Sequence, residues 1–182
     1  MLHNLMQVAT FVIAVLGLAV ATSSLTWNVV QFLLAGSRPE VQLIVGALAP
    51  GGMVVGEPGP HIEGTLRRFA ADNGYDRRVI GVRVINYGRT AARVQSWGIK
   101  LKTAGVSFKP LDDSIGPELP HVLEPGAQET WVVDIERAVR LASVTAATFK
   151  RPEEPLYGIV ELSTGKALKS RKSVHVLPPS GT

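Results

Sequence analysis

The chain has 182 residues, a formal net charge of +4, 46% hydrophobic residues and no cysteine. Single domains usually contain about 100 to 150 residues, so we expect one folded domain plus an appendage. The lack of cysteine excludes disulfides, thiolate metal sites and cysteine nucleophiles. Residues 67–109 hold ten Lys or Arg and two acids, whereas residues 110–136 hold seven acids and no Lys or Arg. This asymmetry predicts separate basic and acidic surfaces.

The N-terminal segment is predicted to be a membrane helix. Residues 1–37 contain no Asp, Glu, Lys or Arg, and the run from Leu5 to Leu34 is long and apolar. About 20 apolar residues cross the hydrocarbon layer, so the surplus predicts tilt or an interfacial extension near Trp27. We therefore expect a transmembrane or interfacial helix at 1–37, a folded domain at 38–178 and a disordered tail at 179–182.

A secretory leader is the alternative for this segment, because Ala19-Val20-Ala21 resembles a cleavage site. It is the weaker interpretation, since no Lys or Arg precedes the apolar run, the run is too long, and hydrophobic residues resume after the site. Arg38 and a basic-rich domain follow the helix. The positive-inside rule therefore favours a single-pass protein with a cytoplasmic C-terminal domain.

Small and polar residues recur along the predicted helix at spacings of three and four. In lipid, small residues let helix backbones approach, and polar side chains hydrogen-bond across the contact. The set, called the helix seam below, predicts self-association or packing against a partner membrane helix. Chance is the alternative, because about half of the residues from 3 to 35 are small or polar. The members of the helix seam are His3, Gln7, Thr10, Ala14, Gly17, Ala21, Ser24, Asn28, Gln31 and Ala35.

The first predicted strands follow Gly36-Ser37-Arg38-Pro39, which contains a C-cap glycine and a helix-ending proline. Val41 to Leu48 reads as a strand, and Val79 to Tyr87 alternates with the period of two typical of a half-buried strand. Asn86-Tyr87-Gly88-Arg89 is a predicted turn. The returning strand places four side chains on one face, so we expect a β-hairpin. These side chains are Gln95, Trp97, Ile99 and Leu101.

The later elements complete the predicted fold. Trp131, Val133 and Ile135 alternate with Val132 and Asp134, which indicates a strand with one wet face. One or two helical turns are expected within residues 136–147. Residues 156–163 and 168–177 are predicted to pair as two final strands. Six to eight short strands with Pro/Gly turns and no βαβ alternation favour an antiparallel β-sandwich after one N-terminal transmembrane helix.

Three stretches of sequence carry a resemblance to a known class of domain. They are VRVINYGRTAARVQSWGIKLKTAG, HVLEPGAQETWVVDI and VELSTGKALKSRKSVHV. Together they resemble the immunoglobulin-like β-sandwiches of the CARDB and related adhesion-type superfamily. The whole layout is similar to uncharacterised bacterial single-pass membrane proteins in which a helix leads directly into such a domain. The resemblance implies a binding or assembly module and transfers no catalytic residue.

Residues with catalytic or metal-binding chemistry are sparse. His61, His121 and His175 are far apart in sequence and match no metal motif, and no nucleophile or phosphate-loop motif is present. An acidic loop offers oxygen ligands suited to Ca²⁺, although such loops are usually solvated connections. We expect no enzyme activity, no cofactor, no metal and no small-molecule substrate. The carboxylates of the acidic loop are Asp112, Asp113 and Glu118.

Basic residues near the helix and the C-terminus are candidate contacts with anionic lipid headgroups. A solvated sheet face is an equally good interpretation of them. Nucleic acid is a poor fit, because neither aromatic interleaving nor a helix-turn-helix pattern is present. Arg67-Arg68 and Arg77-Arg78 form further basic pairs. The candidate lipid-contact residues are Arg38, Lys166, Lys169, Arg171 and Lys172.

The function that these patterns favour is a membrane-tethered, non-catalytic binding or assembly module that acts through protein–protein, including self, association. One alternative is a small oligomeric pore or holin-like protein in which the helix seam lines water and the sandwich forms a cap. Another is a cell-surface or virion attachment domain, which requires an external C-terminus. Ion leakage and the orientation of the chain distinguish these alternatives.

Overall fold

The computed structural model describes residues 2–49, 51–59, 68, 77–102, 105–111, 113–150 and 154–175. His61, Arg67, Asp112 and the predicted tail at 179–182 lie outside them. The described helices are α1 and α2, and the described strands are β1 to β9. In chain order they are α1 (Leu2–Leu34), β1 (Pro39–Ala49), β2 (Gly52–Gly56), β3 (Arg77–Asn86), β4 (Ala92–Leu101), β5 (Ser107–Phe108), β6 (His121–Leu123), β7 (Gln128–Asp134), α2 (Ile135–Phe149), β8 (Leu156–Leu162) and β9 (Ala167–Lys169).

Helix α1 is long and apolar enough to cross a membrane. Its stretch Met6–Gln31 has 26 residues and a mean hydropathy of 2.2, and none of it is buried by the rest of the protein. At 1.5 Å per residue this stretch is about 39 Å long, which exceeds the roughly 30 Å hydrocarbon layer. A signal sequence near the N-terminus can also meet these criteria of length and hydropathy.

Two antiparallel sheets form the domain that follows. One sheet has the order β2-β1-β3-β7, and the other has the order β5-β4-β8-β9 with β6 also paired to β4. Both sheets contribute side chains to one buried apolar cluster. Trp97 of β4 and Trp131 of β7 are its largest fully buried members. The chain is therefore mainly β, with two sheets packed around a shared core, as the sequence predicted.

The sheets pack closely because β8 carries a glycine at the contact. A Cβ at Gly158 would collide with the Val82 side chain of β3 and would lie 3.7 Å from Leu43 Cδ1 of β1. The missing side chain therefore lets β8 approach the opposite sheet.

The predicted β-hairpin between Val79 and Leu101 is wrong. β3 pairs with β1 and β7, whereas β4 pairs with β5, β6 and β8, so these two consecutive strands lie in different sheets. Residues Tyr87 to Ala91 cross from one sheet to the other. The crossing is favoured because both strands have strongly apolar core faces, which two facing sheets bury against each other.

Gln95 was predicted to lie on the same face as Trp97, Ile99 and Leu101, but those three side chains are buried and that of Gln95 is exposed. The β4–β8 register shifts between Val94 and Ser96, which marks a β-bulge. The extra residue reverses the alternation. The core-facing side chains are therefore Ala92 and Val94 before the bulge, and Trp97, Ile99 and Leu101 after it.

The wet face predicted for the strand around Trp131 is also wrong in part. Val132, on that face, is fully buried with Ile44 and Val79 in a second apolar cluster. Its backbone N–H donates to Ile115 O at 2.9 Å, and it accepts the Ile115 N–H at 2.8 Å. The segment around Ile115 therefore pairs with the free edge of β7, and the side chains of Ile44 and Val79 pack against Val132 on the outer face.

Helix α2 is longer than the one or two turns predicted within 136–147. It contains 15 residues and begins at Ile135, which the strand pattern had included. The Asp134 carboxylate accepts the Glu136 N–H at 3.0 Å and caps the helix. Ala138 and Ala142 are buried on one side, so packing stabilises a segment whose Val and Thr residues weaken its intrinsic helix propensity.

The last predicted strand, 168–177, is interrupted. β9 ends at Lys169, and pairing resumes only at Val174, which bridges to Leu156. Buried Ser170 causes the interruption, because its hydroxyl accepts the Gly158 N–H at 3.0 Å and donates to Lys172 O at 2.8 Å. Side-chain bonds thus replace part of the backbone ladder.

Candidate functional site

The connection between α1 and β1 is joined to the sandwich by backbone hydrogen bonds. Tyr87 N–H donates to Arg38 O at 3.1 Å, and Arg89 N–H donates to Gly36 O at 3.3 Å. The four residues 35–38 between helix and strand are therefore held by the β3–β4 crossing. We call residues 35–38 together with 86–89 the junction.

Asn86 is the centre of the junction. It is fully buried, and its Oδ1 accepts the backbone N–H groups of Arg38 at 3.1 Å and Gly88 at 3.0 Å. Its Nδ2 donates to Thr90 O at 2.8 Å and to Leu123 O at 3.0 Å. One amide side chain thereby ties the anchor connection, the β3–β4 crossing and the end of β6 together.

Gly88 gives the junction the space it needs. A Cβ at this position would lie 2.5 Å from Gly36 O and 2.6 Å from Ser37 Cα. These distances are shorter than van der Waals contact, so any larger residue would push the anchor connection away. The Asn-x-Gly pattern, interpreted from sequence as a hairpin turn, instead binds the segment that leads to α1.

The helix seam lies along α1, where the described side chains are exposed. Thr10 donates its hydroxyl to Met6 O at 2.9 Å within the helix. Off the seam, Ser23 and Thr26 satisfy their hydroxyls in the same way. Ser24 and Asn28, by contrast, have no side-chain hydrogen bond among the described residues. The helix itself therefore satisfies some of its polar groups and leaves others available.

The five candidate lipid-contact residues do not form one cluster. Arg171 lies 3.8 Å from Glu40, and Lys172 forms an ion pair with Glu57. Lys169 Nζ lies 3.8 Å from the centre of the Tyr157 ring. Arg38 lies in the junction, and Lys166 is exposed in the β8–β9 turn.

The acidic loop does not assemble a metal site within the described part of the chain. No group of three His, Asp or Glu side chains there could hold a metal ion. Asp113 forms an ion pair with Arg137, and Glu118 is exposed. The His121 ring packs edge-on against Trp131, with ring centres 5.9 Å apart.

An open cleft of about 1040 Å³ lies between α2 and the start of β3. The Arg77–Asp134 ion pair, at 3.2 Å, and the Arg137–Asp113 pair lie at its rim. Sequence analysis missed this cleft, because its residues come from distant segments and α2 was predicted too short. Its lining combines three arginines, three acids and apolar groups, and consists of Arg77, Phe108, Asp113, Ser114, Ile115, Val133, Asp134, Glu136, Arg137, Arg140, Leu141 and Val144.

One carboxyl group on the outer face of β8 has a shifted pKa. Hydrogen bonds from Lys109 Nζ at 2.7 Å and Ser96 Oγ at 2.8 Å lower the pKa of Glu161 below its ordinary value of 4.5. These donors stabilise the charged form, and Lys109 adds its positive charge. The group links β4 and β8 on a solvent-facing surface.

Comparison with known proteins gives one structural match. No family model matches the chain, and no curated protein matches it. The X-ray structure of Northeast Structural Genomics Consortium target SoR45 aligns over 81% of this chain and 91% of its own, with 14% identity and a TM-score of 0.30.

Proposed function

We propose that the chain is a single-pass membrane protein whose domain is an immunoglobulin-like sandwich, and that it works as a non-catalytic binding or assembly module. In this proposal α1 anchors the domain and contributes to association between copies. The hydrogen-bonded junction between α1 and the sandwich is the observation that carries the proposal.

The immunoglobulin-like assignment is supported by the order of strand pairing. β1, β3 and β7 pair in the way that strands A, B and E pair in immunoglobulin domains, and β4, β8 and β9 pair in the way that C, F and G pair. The crossing from β3 to β4 then corresponds to the B–C connection. Trp97 supports the same alignment, because a buried Trp on strand C is typical of these domains.

The junction supports a module whose position relative to its anchor matters. A flexible tether would leave the domain free to turn about the connection, whereas residues 36 and 38 are bonded to residues 86, 87 and 89. Ordering this connection costs about 1 to 2 kcal/mol of conformational entropy per residue, which the junction offsets. A protein that presents a binding surface at a fixed height above a membrane needs such a connection.

Self-association is supported by the pattern of α1. A heptad-spaced stripe drifts by about 20° per heptad on a straight helix, so two copies keep contact along it by a left-handed supercoil. Gly17 permits close approach, and Ser24 and Asn28 can hydrogen-bond across the contact. An amide without a partner is costly in hydrocarbon, which favours pairing.

The first experiment asks whether α1 is retained and inserted. The mass of the chain purified from membranes should include residues 1–37, and alkaline carbonate should not extract it. A reporter fused after Thr182 then gives the orientation. Cleavage near Ala21 would overturn the anchor, and an external reporter would favour the attachment-domain alternative.

The second experiment tests association by crosslinking in membranes. Gly17→Leu with Asn28→Leu should reduce the crosslinked dimer about tenfold, because two seam contacts are lost. Ala19→Leu with Thr26→Leu is the matched control, since each position lies two residues, or about 200°, around the helix from the seam. An unchanged dimer fraction in the first variant would contradict self-association through the seam. Ion leakage that depends on the same two residues would favour the pore.

A further inference from the structure

Four connections meet at the end of the sandwich nearest α1. Pro39, where β1 begins, pairs with Asn86, where β3 ends, and the Gly126 N–H donates to Asn86 O at 2.8 Å. The β8–β9 turn joins them, because the Ser163 N–H donates to Arg93 O at 2.9 Å. We call residues 35–38, 87–93, 124–126 and 163–166 the anchor-side end.

The anchor-side end is basic. It contains four basic residues and one acid, Glu124, and all five are exposed. The ion pairs among the described residues use Arg77, Lys109, Arg137, Arg171 and Lys172. Among the described residues none forms with Arg89, Arg93 or Lys166. The four basic residues are Arg38, Arg89, Arg93 and Lys166.

An aromatic residue lies beside these charges. Tyr87 is 61% exposed and precedes Gly88 in the crossing that holds the anchor connection. Tyrosine is enriched at the headgroup level of membranes, because its ring is apolar and its hydroxyl is polar. An exposed Tyr next to exposed Arg side chains therefore matches the chemistry of a membrane interface.

The short connection limits how far this end can lie from the end of α1. Four residues extend at most about 14 Å, and here the Arg89–Gly36 bond folds them back against the sandwich. The headgroup layer on each side of a bilayer is about 5 to 8 Å thick. Basic side chains on the anchor-side end can reach it.

We propose that the anchor-side end is a docking surface for anionic phospholipid headgroups, with Arg89, Arg93 and Lys166 as contacts and Tyr87 in the interface. This inference rests on the proposed membrane insertion of α1. Each basic residue near an anionic surface contributes about 1 kcal/mol, which is roughly fivefold in an equilibrium constant. Of the five lipid contacts predicted from sequence, this proposal retains Lys166, and it adds Arg89 and Arg93.

The test uses the full chain reconstituted in vesicles. Because the sequence has no cysteine, Thr164→Cys allows an environment-sensitive dye to be placed in the exposed β8–β9 turn. Ser107→Cys serves as the control site, since β4 extends about 30 Å from Ala92 to Leu101 and Ser107 pairs with Lys100 near its far end. Nitroxide-labelled headgroups quench a dye that touches the membrane. Vesicles of phosphatidylcholine are compared with vesicles containing phosphatidylglycerol.

At residue 164 we expect stronger quenching in vesicles that contain phosphatidylglycerol than in vesicles of phosphatidylcholine, and added salt should weaken it. At residue 107 we expect little quenching in either. Arg89→Gln with Lys166→Gln should lower the ratio of quenched to unquenched label at residue 164 about tenfold or more in those vesicles. Lys100→Gln with Lys102→Gln, at the opposite end of β4, should leave it unchanged.

Equal quenching in both lipids, or none at residue 164, would overturn the docking surface. Co-flotation of the labelled chain with neutral vesicles separates the two proposals. A chain that floats but shows no lipid preference contradicts only the docking surface, whereas a chain that does not float contradicts the anchor as well.

Discussion

The Asn86 side chain accepts the backbone N–H of Arg38 at 3.1 Å, although 48 residues separate the two in sequence. The bond connects the crossing between the two sheets to the segment that leads into α1. Asn86 is fully buried, whereas Arg38 is exposed, so the bond fixes a surface segment to the interior of the domain. A folded sandwich and an ordered anchor connection therefore depend on the same residue.

Replacing Asn86 should destabilise the domain strongly. Asn86→Ala leaves two buried groups, the Gly88 N–H and the Leu123 carbonyl, and the partly buried Arg38 N–H without this partner. Each buried unpaired group costs about 1 to 3 kcal/mol. We expect a loss of about 3 kcal/mol or more in urea unfolding of the full chain in mild detergent. Asn86→Asp should be similarly destabilising, because a carboxylate cannot donate a hydrogen bond to the Leu123 carbonyl. Exposed Gln95→Ala is the control, and a loss below about 1 kcal/mol at Asn86 would contradict its central role.

Gly88→Ala should loosen the junction more than it destabilises the core. The added Cβ would meet Gly36 O and Ser37 Cα, so the anchor connection must move away. Native-state hydrogen exchange of the Arg38 and Arg89 amides should accelerate about tenfold or more, since both donate within the junction. Gly36→Ala is the matched control, because a Cβ there meets nothing within 4 Å. Unchanged protection in Gly88→Ala would show that the connection does not need this close approach.

The sequence predicted element types better than it predicted pairing. Apolar alternation located the cores of β3, β4 and β7, because burial on one face requires a period of two. It could not show that β3 and β4 lie in different sheets, since alternation records which face is buried and not which strand is adjacent. The bulge at Gln95 and the cap at Asp134 were missed because each depends on a local register or side-chain bond.

The junction could be predicted only in part. Asn86 and Gly88 stood out as a turn, and the sequence alone cannot distinguish a turn residue from one that binds a segment 48 residues away. The sequence feature that points to the junction is an Asn at the end of an apolar strand, followed two residues later by Gly. The helix seam and the basic residues were visible as patterns, but the pairing of Arg171 and Lys172 with Glu40 and Glu57 required the fold.

The two core tryptophans should respond differently to loss of the indole N–H. Trp131 Nε1 donates to Pro117 O at 2.8 Å, whereas buried Trp97 Nε1 has no hydrogen-bond partner among the described residues. Trp97→Phe removes an unsatisfied donor, which offsets part of the lost packing. Trp131→Phe loses both a bond and packing. We expect Trp131→Phe to be the more destabilising by about 1 to 3 kcal/mol in urea unfolding monitored by circular dichroism, and the reverse order would refute this assignment.

The contribution of Glu161 to the free energy of unfolding should depend on pH. Since the folded state lowers its pKa below 4.5, the ionised form stabilises the fold above that value, and this stability is lost as pH falls through the lower folded pKa. The Glu161 and Lys109 side chains are 40% and 42% exposed, so the effect is at most about 1 kcal/mol. Glu161→Gln should lower the free energy of unfolding at pH 7, and this difference should disappear as pH falls through the lowered pKa of Glu161. Exposed Glu118→Gln provides the comparison, and a difference independent of pH would exclude the ionised group as its source.

The contact between Gly158 and Val82 should appear as coupling between two substitutions. Gly158→Ala introduces a methyl group where the Val82 side chain lies, and overpacking of this kind costs about 1 to 3 kcal/mol. Val82→Ala alone leaves a cavity in the core and should cost about 2 kcal/mol. In the double variant, the new methyl group fills space that the valine vacates. The double variant should therefore lose at least about 1 kcal/mol less stability than the sum of the two single losses. Additive losses in a denaturant double-mutant cycle would mean that the sheets do not approach each other at this pair.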